Sequence, residues 1–346
     1  MSAGAEATGP EKGQGLRLWA PLALGATLAF AGLGWTASHL IFDPETAAAE
    51  AHSATLFGEV EGRRVHCRDR RDSDRCVAGY RAAGSPPAVL WLGNSQLHRI
   101  NRRAAGQETA SQQLHRTLAA RGRYLVTYSQ PNANLAEHRL LYRRLRGDYR
   151  IETMVLAVCL DDFRESEVRE TISGERAAKV PESASLQPRV ESRLSESLGE
   201  RWSLWRLRPK LKVLADYAAY TARNRLLGVT AQTKRPVPAD LYAQKMALLT
   251  QIVAEARADG VQVVLYAPPY RRDVEGPYVE SQYRRFIGDL ETLRGKGVRV
   301  ADLTGAVSGR EWGMMRDPLT GTDDYDFMHF TAEGHRRLAR GVAGLL

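Results

Sequence analysis

Cysteine is scarce: the 346 residues hold three, Cys67, Cys76 and Cys159. A ligand set of His66, Cys67 and Cys76 lacks zinc spacing, and nothing else in the sequence indicates a metal or another cofactor. Nucleic-acid motifs are missing as well, with no helix-turn-helix, zinc finger or RRM signature. The formal net charge of +9 is therefore not read as nucleic-acid binding. It fits contact with an anionic surface such as phospholipid headgroups or an acidic polysaccharide, and arginine-rich codon usage accounts for it equally well. Internal repeats and extended low-complexity tracts are also lacking.

Acidic residues are missing from 16–42, "LRLWAPLALGATLAFAGLGWTASHLIF". The apolar stretch from Leu18 to Trp35 is about as long as a bilayer core requires. Lys12 and Arg17 precede it, and Asp43, Glu45 and Glu50 follow it. By the positive-inside rule, 1–15 is a cytoplasmic tail, 16–42 a single transmembrane anchor, and the body is exported. A cleaved signal peptide ending near "WTASHL" is the alternative. The expected location is the bacterial inner membrane, with the body of the chain periplasmic or otherwise extracytoplasmic. Export agrees with Cys67 and Cys76, which bracket the short polar stretch "RDRRDSDR" and are expected to form a disulfide. Cys159 lies in an apolar run and reads as a small buried hydrophobe. Residues 43–87 read as a juxtamembrane connector holding that disulfide loop.

From residue 88 the pattern alternates. "AVLWLG" (88–93), "YLVTYS" (124–129), "TMVLAVCL" (153–160), "VQVVLYAPP" (261–269) and "VRVADLT" (298–304) are apolar strands. Helical patterns at 105–122, 135–146, 242–260, 278–295 and the C-terminal "TAEGHRRLARGVAGLL", with Thr331 as N-cap, separate or follow them. Buried strands alternating with helices imply a parallel sheet covered on both faces. Residues 163–236 interrupt this alternation. Their interleaved tryptophan and basic residues read as a helical insertion, either packed on the domain or lying at the membrane surface.

In such sheets, sites gather at the carboxyl ends of strands. Gly93-Asn94-Ser95 lies there. A serine hydroxyl needs a base, and the base needs an orienting carboxylate. Asp326 and His329, three apart in "DFMHF" before the final helix, supply both in one turn, with Asp323 and Asp324 as rivals for the acid. Gln96 and His98 follow Ser95 at a presumed helix start, where Gln96 is placed to line the site. His335 reads as packed or solvated. Asp162, Arg164 and Glu165 are expected near the third strand's end.

A strand followed by G-x-S, and D-x-x-H followed by F-T-x-x-G-H, together resemble the first and last blocks of the SGNH hydrolase superfamily. The resemblance runs over 88–346. It implies a flavodoxin-like three-layer αβα sandwich, with Ser95 as nucleophile, His329 as general base and acid, and Asp326 as its orienter. Asn94 stands where many members have Asp. Asn132 stands where the family has an oxyanion-hole Gly, and Asn tolerates positive φ. Asp161 stands where the family offers an Asn side chain, and an ionised carboxylate repels an oxyanion. Either Asp161 is not the equivalent residue, or it is protonated, or another donor such as Arg164 serves. The anchor with an exported SGNH-type domain resembles the DltD-like proteins. That implies acyl transfer to, or removal from, a cell-envelope polysaccharide, in partnership with a membrane-bound O-acyltransferase. A small-ester esterase and a catalytically idle scaffold binding polymer or an acyltransferase are the other readings.

Overall fold

The computed structural model describes residues 58–68, 70–164, 168–169, 172, 223, 226–230, 232–316 and 323–346. They belong to one unit, His52–Glu182 with Tyr220–Leu346. The expected anchor at 16–42 and most of the expected insertion at 163–236 lie outside the described residues. Among the described residues, no helix is long and apolar enough to cross a membrane.

A seven-stranded sheet is built from β1 (Gly58–Val60), β2 (Arg63–Cys67), β3 (Ala88–Gly93), β4 (Tyr124–Ser129), β5 (Ile151–Ala157), β6 (Gln262–Ala267) and β7 (Val298–Asp302). Its order is β1-β2-β4-β3-β5-β6-β7. Strand β1 is antiparallel to β2, and every other pair is parallel. The central strands form because their apolar runs are buried on both faces. Alternation along β3 sends Leu90 and Leu92 into one cluster and Val89 and Trp91 into the other.

Helices cover both faces. On the first lie α1 (Arg70–Ala82), α3 (Leu135–Leu145), α4 (Ala239–Ala258) and α5 (Glu280–Glu291), which contribute Tyr80, Leu141, Leu249 and Phe286. On the second lie α2 (Ala110–Ala119) and α6 (Ala332–Ala343), which contribute Leu114 and Val342. Burying each such side chain contributes about 1.5–3 kcal/mol. Counted from β3, the order β4-β3-β5-β6-β7 is the flavodoxin-like 2-1-3-4-5. Its direction of winding reverses beside β3, which places the ligand crevice at that strand's carboxyl end.

Three expectations change. The stretch 43–87 is not merely a connector: from Gly58 onward it joins the domain. Strand β2 pairs with β4 through His66↔Thr127 and Cys67↔Tyr128. The "RDRRDSDR" stretch is not a loop, since most of it winds into α1, and the Cys67–Cys76 disulfide pins that helix to β2. The helix expected from 105 begins at Ala110, where Thr109 and Gln112 form a capping box. Thr331 does sit at the N-cap of α6, but its side chain makes no capping bond.

Candidate active site

Strand β3 ends at Gly93, where the chain turns so tightly that a Cβ would lie 2.6 Å from Leu97 Cδ1. Asn94 organises the turn. Its Oδ1 accepts the N–H of Gln96 (3.1 Å) and its Nδ2 donates to Cys159 Sγ (2.8 Å). An aspartate performs the first task but has no N–H for the second, which accounts for Asn at this position. Ser95 then opens a single 3-10 turn, Ser95–Leu97, instead of a long helix, and is 8% exposed.

Asp326 and His329 lie in a second, two-stranded antiparallel sheet, β8 (Trp312–Arg316) with β9 (Asp323–Phe330). They do not form a simple turn before α6. Met314 pairs with Tyr325 and Trp312 with Phe330, so residues 326–329 bulge opposite Gly313. The Asp326 carboxylate closes this bulge, its Oδ1 accepting the N–H groups of Met328 and His329, both at 2.9 Å. The bulge brings two side chains three apart onto the same side, which a regular strand does not do.

The result is a continuous line. Ser95 Oγ–H donates to His329 Nε2 over 2.9 Å, and His329 Nδ1–H donates to Asp326 Oδ2 over 3.0 Å. Burial raises the Asp326 pKa, but the His329 ring and the two backbone N–H groups outweigh it and hold the carboxyl down to about 2. An ionised acceptor at Nδ1 keeps the imidazole proton there and leaves Nε2 free to accept. Asp323 and Asp324, the rival acids, are exposed and do not reach His329.

A cavity of about 170 Å³ is lined by Asn94, the residue before Ser95, and by Asn132, Asp161, Asp162, Arg164 and Met328. Asn132 has φ +50°, the left-handed conformation its side chain tolerates. Among the described residues, neither Ser95 N–H nor Asn132 N–H is used in a hydrogen bond. Asp161 is an acceptor here, taking bonds from Arg164 and from Tyr278 Oη. It is not the donor that the resemblance to SGNH hydrolases implied at this position. Arg164 gives Nη1 to Asp161 and Nη2 to the Arg235 carbonyl, and its buried Nε–H has no hydrogen-bond partner among the described residues. Asp162 faces inward, where burial pushes its pKa well above the usual carboxylate range, and it accepts the Cys159 N–H at 2.8 Å. Glu165 lies outside the described residues.

Sequence reasoning missed the groups that hold the acid. Asn101 Nδ2 donates to Asp326 Oδ2 (2.9 Å) and to the Met314 carbonyl (3.1 Å). It fits only because residue 313 is glycine, where a Cβ would lie 1.8 Å from Asn101 Cγ. Arg271, 5% exposed, donates to the Gly313 carbonyl at 2.8 Å and lies over the Tyr325 ring. Behind Ser95, Ser129 Oγ bridges His98 Nδ1 (2.7 Å) and His66 Nε2 (2.6 Å), and His66 Nδ1 meets Ser111 Oγ (2.9 Å). Gln96 donates to the Pro269 carbonyl at 2.9 Å. Asn101 closes the very stretch that holds Ser95, but a lone polar residue there gives no signal of its partner 225 residues away.

Among the described residues, no group of three His, Cys, Asp or Glu side chains is placed to hold a metal ion. No protein-family model and no curated protein matches the sequence. Among solved structures, the chain is similar to a putative acylhydrolase from Bacteroides fragilis, at 11% identity over 77% of this chain and 93% of that one, with a TM-score of 0.37. It is also similar to an acetylxylan esterase from Geobacillus stearothermophilus (13%, 75% and 93%, 0.40) and to TesA (16%, 74% and 95%, 0.37). At these identities and scores the likeness bears on neither chemistry nor substrate.

Proposed function

We propose that this protein is a serine esterase or O-acyltransferase of SGNH hydrolase type, acting through an acyl-Ser95 intermediate. The observation that carries this reading is the line from Ser95 Oγ through His329 to the ionised Asp326. Ser95 Oγ attacks the carbonyl of an acyl ester or thioester as its proton passes to His329 Nε2. Asp326 stabilises the imidazolium that forms. The oxyanion is met by the free N–H groups of Ser95 and Asn132. His329 then protonates the leaving group, and water or a sugar hydroxyl, deprotonated by His329, takes the acyl group from Ser95.

The finer reading rests on the sequence. Segment 16–42 anchors the chain in the inner membrane, the domain faces the periplasm, and the acyl acceptor is an envelope polysaccharide served by a membrane-bound O-acyltransferase. Its support is the acid-free apolar span with basic residues before it, and the disulfide, which suits an oxidising compartment.

A fluorophosphonate probe should label the wild-type protein and leave Ser95→Ala unlabelled, with ester hydrolysis or polymer acylation falling at least about a thousandfold. Equal labelling or unchanged acylation would remove the nucleophile assignment. Alkaline phosphatase fused after residue 50 is expected to be active in cells; an inactive fusion would overturn the topology.

A further inference from the structure

The loop after β4, residues 130–134, is fastened by a residue remote in sequence. Arg169 Nη1 donates to the Pro131 carbonyl at 2.7 Å, and Nη2 to the Asn132 carbonyl at 3.2 Å. The guanidinium is held in turn by Glu137, whose carboxylate accepts Nε (2.7 Å), Nη2 (2.5 Å) and the Arg169 backbone N–H (3.0 Å). Glu137 is fully buried, on α3, and reaches back to the Asn134 N–H in a capping box. Burial raises its pKa, but the bonds from Arg169 and Asn134 outweigh that and lower it, so it remains a carboxylate.

The carbonyl of Pro131 and the N–H of Asn132 belong to one peptide unit. That unit is planar and trans, so the two groups point in opposite directions. A cation on the carbonyl side therefore fixes which way the N–H points. It also draws electron density toward the oxygen, which makes the N–H a stronger donor. Left-handed backbone at a non-glycine residue costs about 1–3 kcal/mol and persists only where its surroundings impose it. The two carbonyl bonds from Arg169 impose it at Asn132.

We infer that Arg169 is a positioning residue for catalysis: braced by Glu137, it orients and polarises the Pro131–Asn132 peptide as an oxyanion donor. The inference rests on the acyl-Ser95 reading and adds to it a residue outside the triad. It also ties the oxyanion site to the stretch between β5 and α4, because Arg169 belongs to that stretch.

The test uses the full chain, p-nitrophenyl acetate as substrate, phenylboronic acid as a tetrahedral mimic and fluorophosphonate to count working sites. In Arg169→Ala, kcat per titrated site should fall about tenfold to a hundredfold with KM within about twofold, a weakening somewhat short of losing a donor outright. Phenylboronic acid affinity and the fluorophosphonate labelling rate should fall by a similar factor. Arg169→Lys, which reaches one carbonyl, and Glu137→Gln, which loosens the brace, should fall between. A purely structural role would lower the number of titratable sites and leave kcat per site unchanged, which overturns the inference. Should Arg169→Ala fail to fold, unchanged kcat per site in both milder variants overturns it equally. If wild type is labelled at Ser95 and these variants match it, the clamp alone is wrong. If wild type is not labelled and hydrolyses nothing, the nucleophile assignment fails and takes the clamp with it.

Discussion

Lowering the pH from 7.5 to 5.0 is expected to lower folding stability, three buried histidines removing about 6 kcal/mol and buried Asp162 returning part of it. Burial, the largest cause in each case, holds His66 down to about 3, His138 to about 4 and His335 to about 4. An unfolded histidine titrates near 6.5, so below that value the unfolded chain binds protons that the folded chain refuses. The stabilising contribution is complete above pH 6.5 and is lost as the pH falls from 6.5 through about 4 to 3. At pH 5.0 each of the three contributes about 2 kcal/mol of the loss. His98 and His115, lowered first by burial, add in the same direction, whereas Asp162, raised by burial, takes up a proton in the folded state as the pH falls and opposes them. A domain's whole stability is about 5–15 kcal/mol, so the effect is large. Thermal unfolding followed by circular dichroism should show Tm falling across this interval. His138, whose ring nitrogens have no hydrogen-bond partner, offers the internal check. His138→Leu should cut the pH dependence by about 2 kcal/mol. A pH dependence of Tm that is the same in His138→Leu and wild type would contradict the assignment of His138 as neutral and unable to accept a proton in the folded state.

Asp326→Asn is expected to lower kcat about a thousandfold to ten-thousandfold with little change in KM. The carboxylate accepts four hydrogen bonds, from the N–H groups of Met328 and His329, from His329 Nδ1 and from Asn101 Nδ2. An amide has one acceptor oxygen and an NH₂ group. If the oxygen keeps the bulge closed, the NH₂ faces His329 Nδ1 and Asn101 Nδ2. The ring then moves its proton to Nε2, where it can no longer accept one from Ser95. Pre-steady-state measurement of acylation with p-nitrophenyl acetate tests this directly, and a variant within tenfold of wild type would show that Asp326 does not set the tautomer.

What the sequence reveals follows from what is buried. Strands β3, β4, β5 and β6 were legible because a strand covered on both faces must be apolar along its length, and edge strand β7 because its buried Val298 and Val300 alternate with exposed Arg299. Strand β2, "RRVHC", was not: it starts with an exposed arginine, and its buried His66 is polar. The spacing of Asp326 and His329 was legible as chemistry, but their β-bulge was not, because it depends on pairing with β8 across the gap at Gly313. Ser95, His329 and Asp326 are joined by hydrogen bonds, and Asn132 lines the cavity next to Asn94. Asp161 does not take the donor role that its position in the family pattern implied. The parts without signal act over distance: Asn101 on Asp326, Arg271 on the Gly313 carbonyl, and Arg169 on the Asn132 loop.

One further consequence follows from His335. This side chain, fully buried on α6, accepts the Ala110 N–H at Nδ1 and donates from Nε2 to the Arg99 carbonyl, both at 3.0 Å. It staples the helix that follows the base to the segment that follows the nucleophile. Ser95 and His329 are 234 residues apart in the chain, so during synthesis the serine leaves the ribosome long before His329. A nascent chain therefore carries this hydroxyl without its base. Reactivity toward acyl donors begins only when residues 323–343 have docked, which makes catalytic competence a reporter of completed folding.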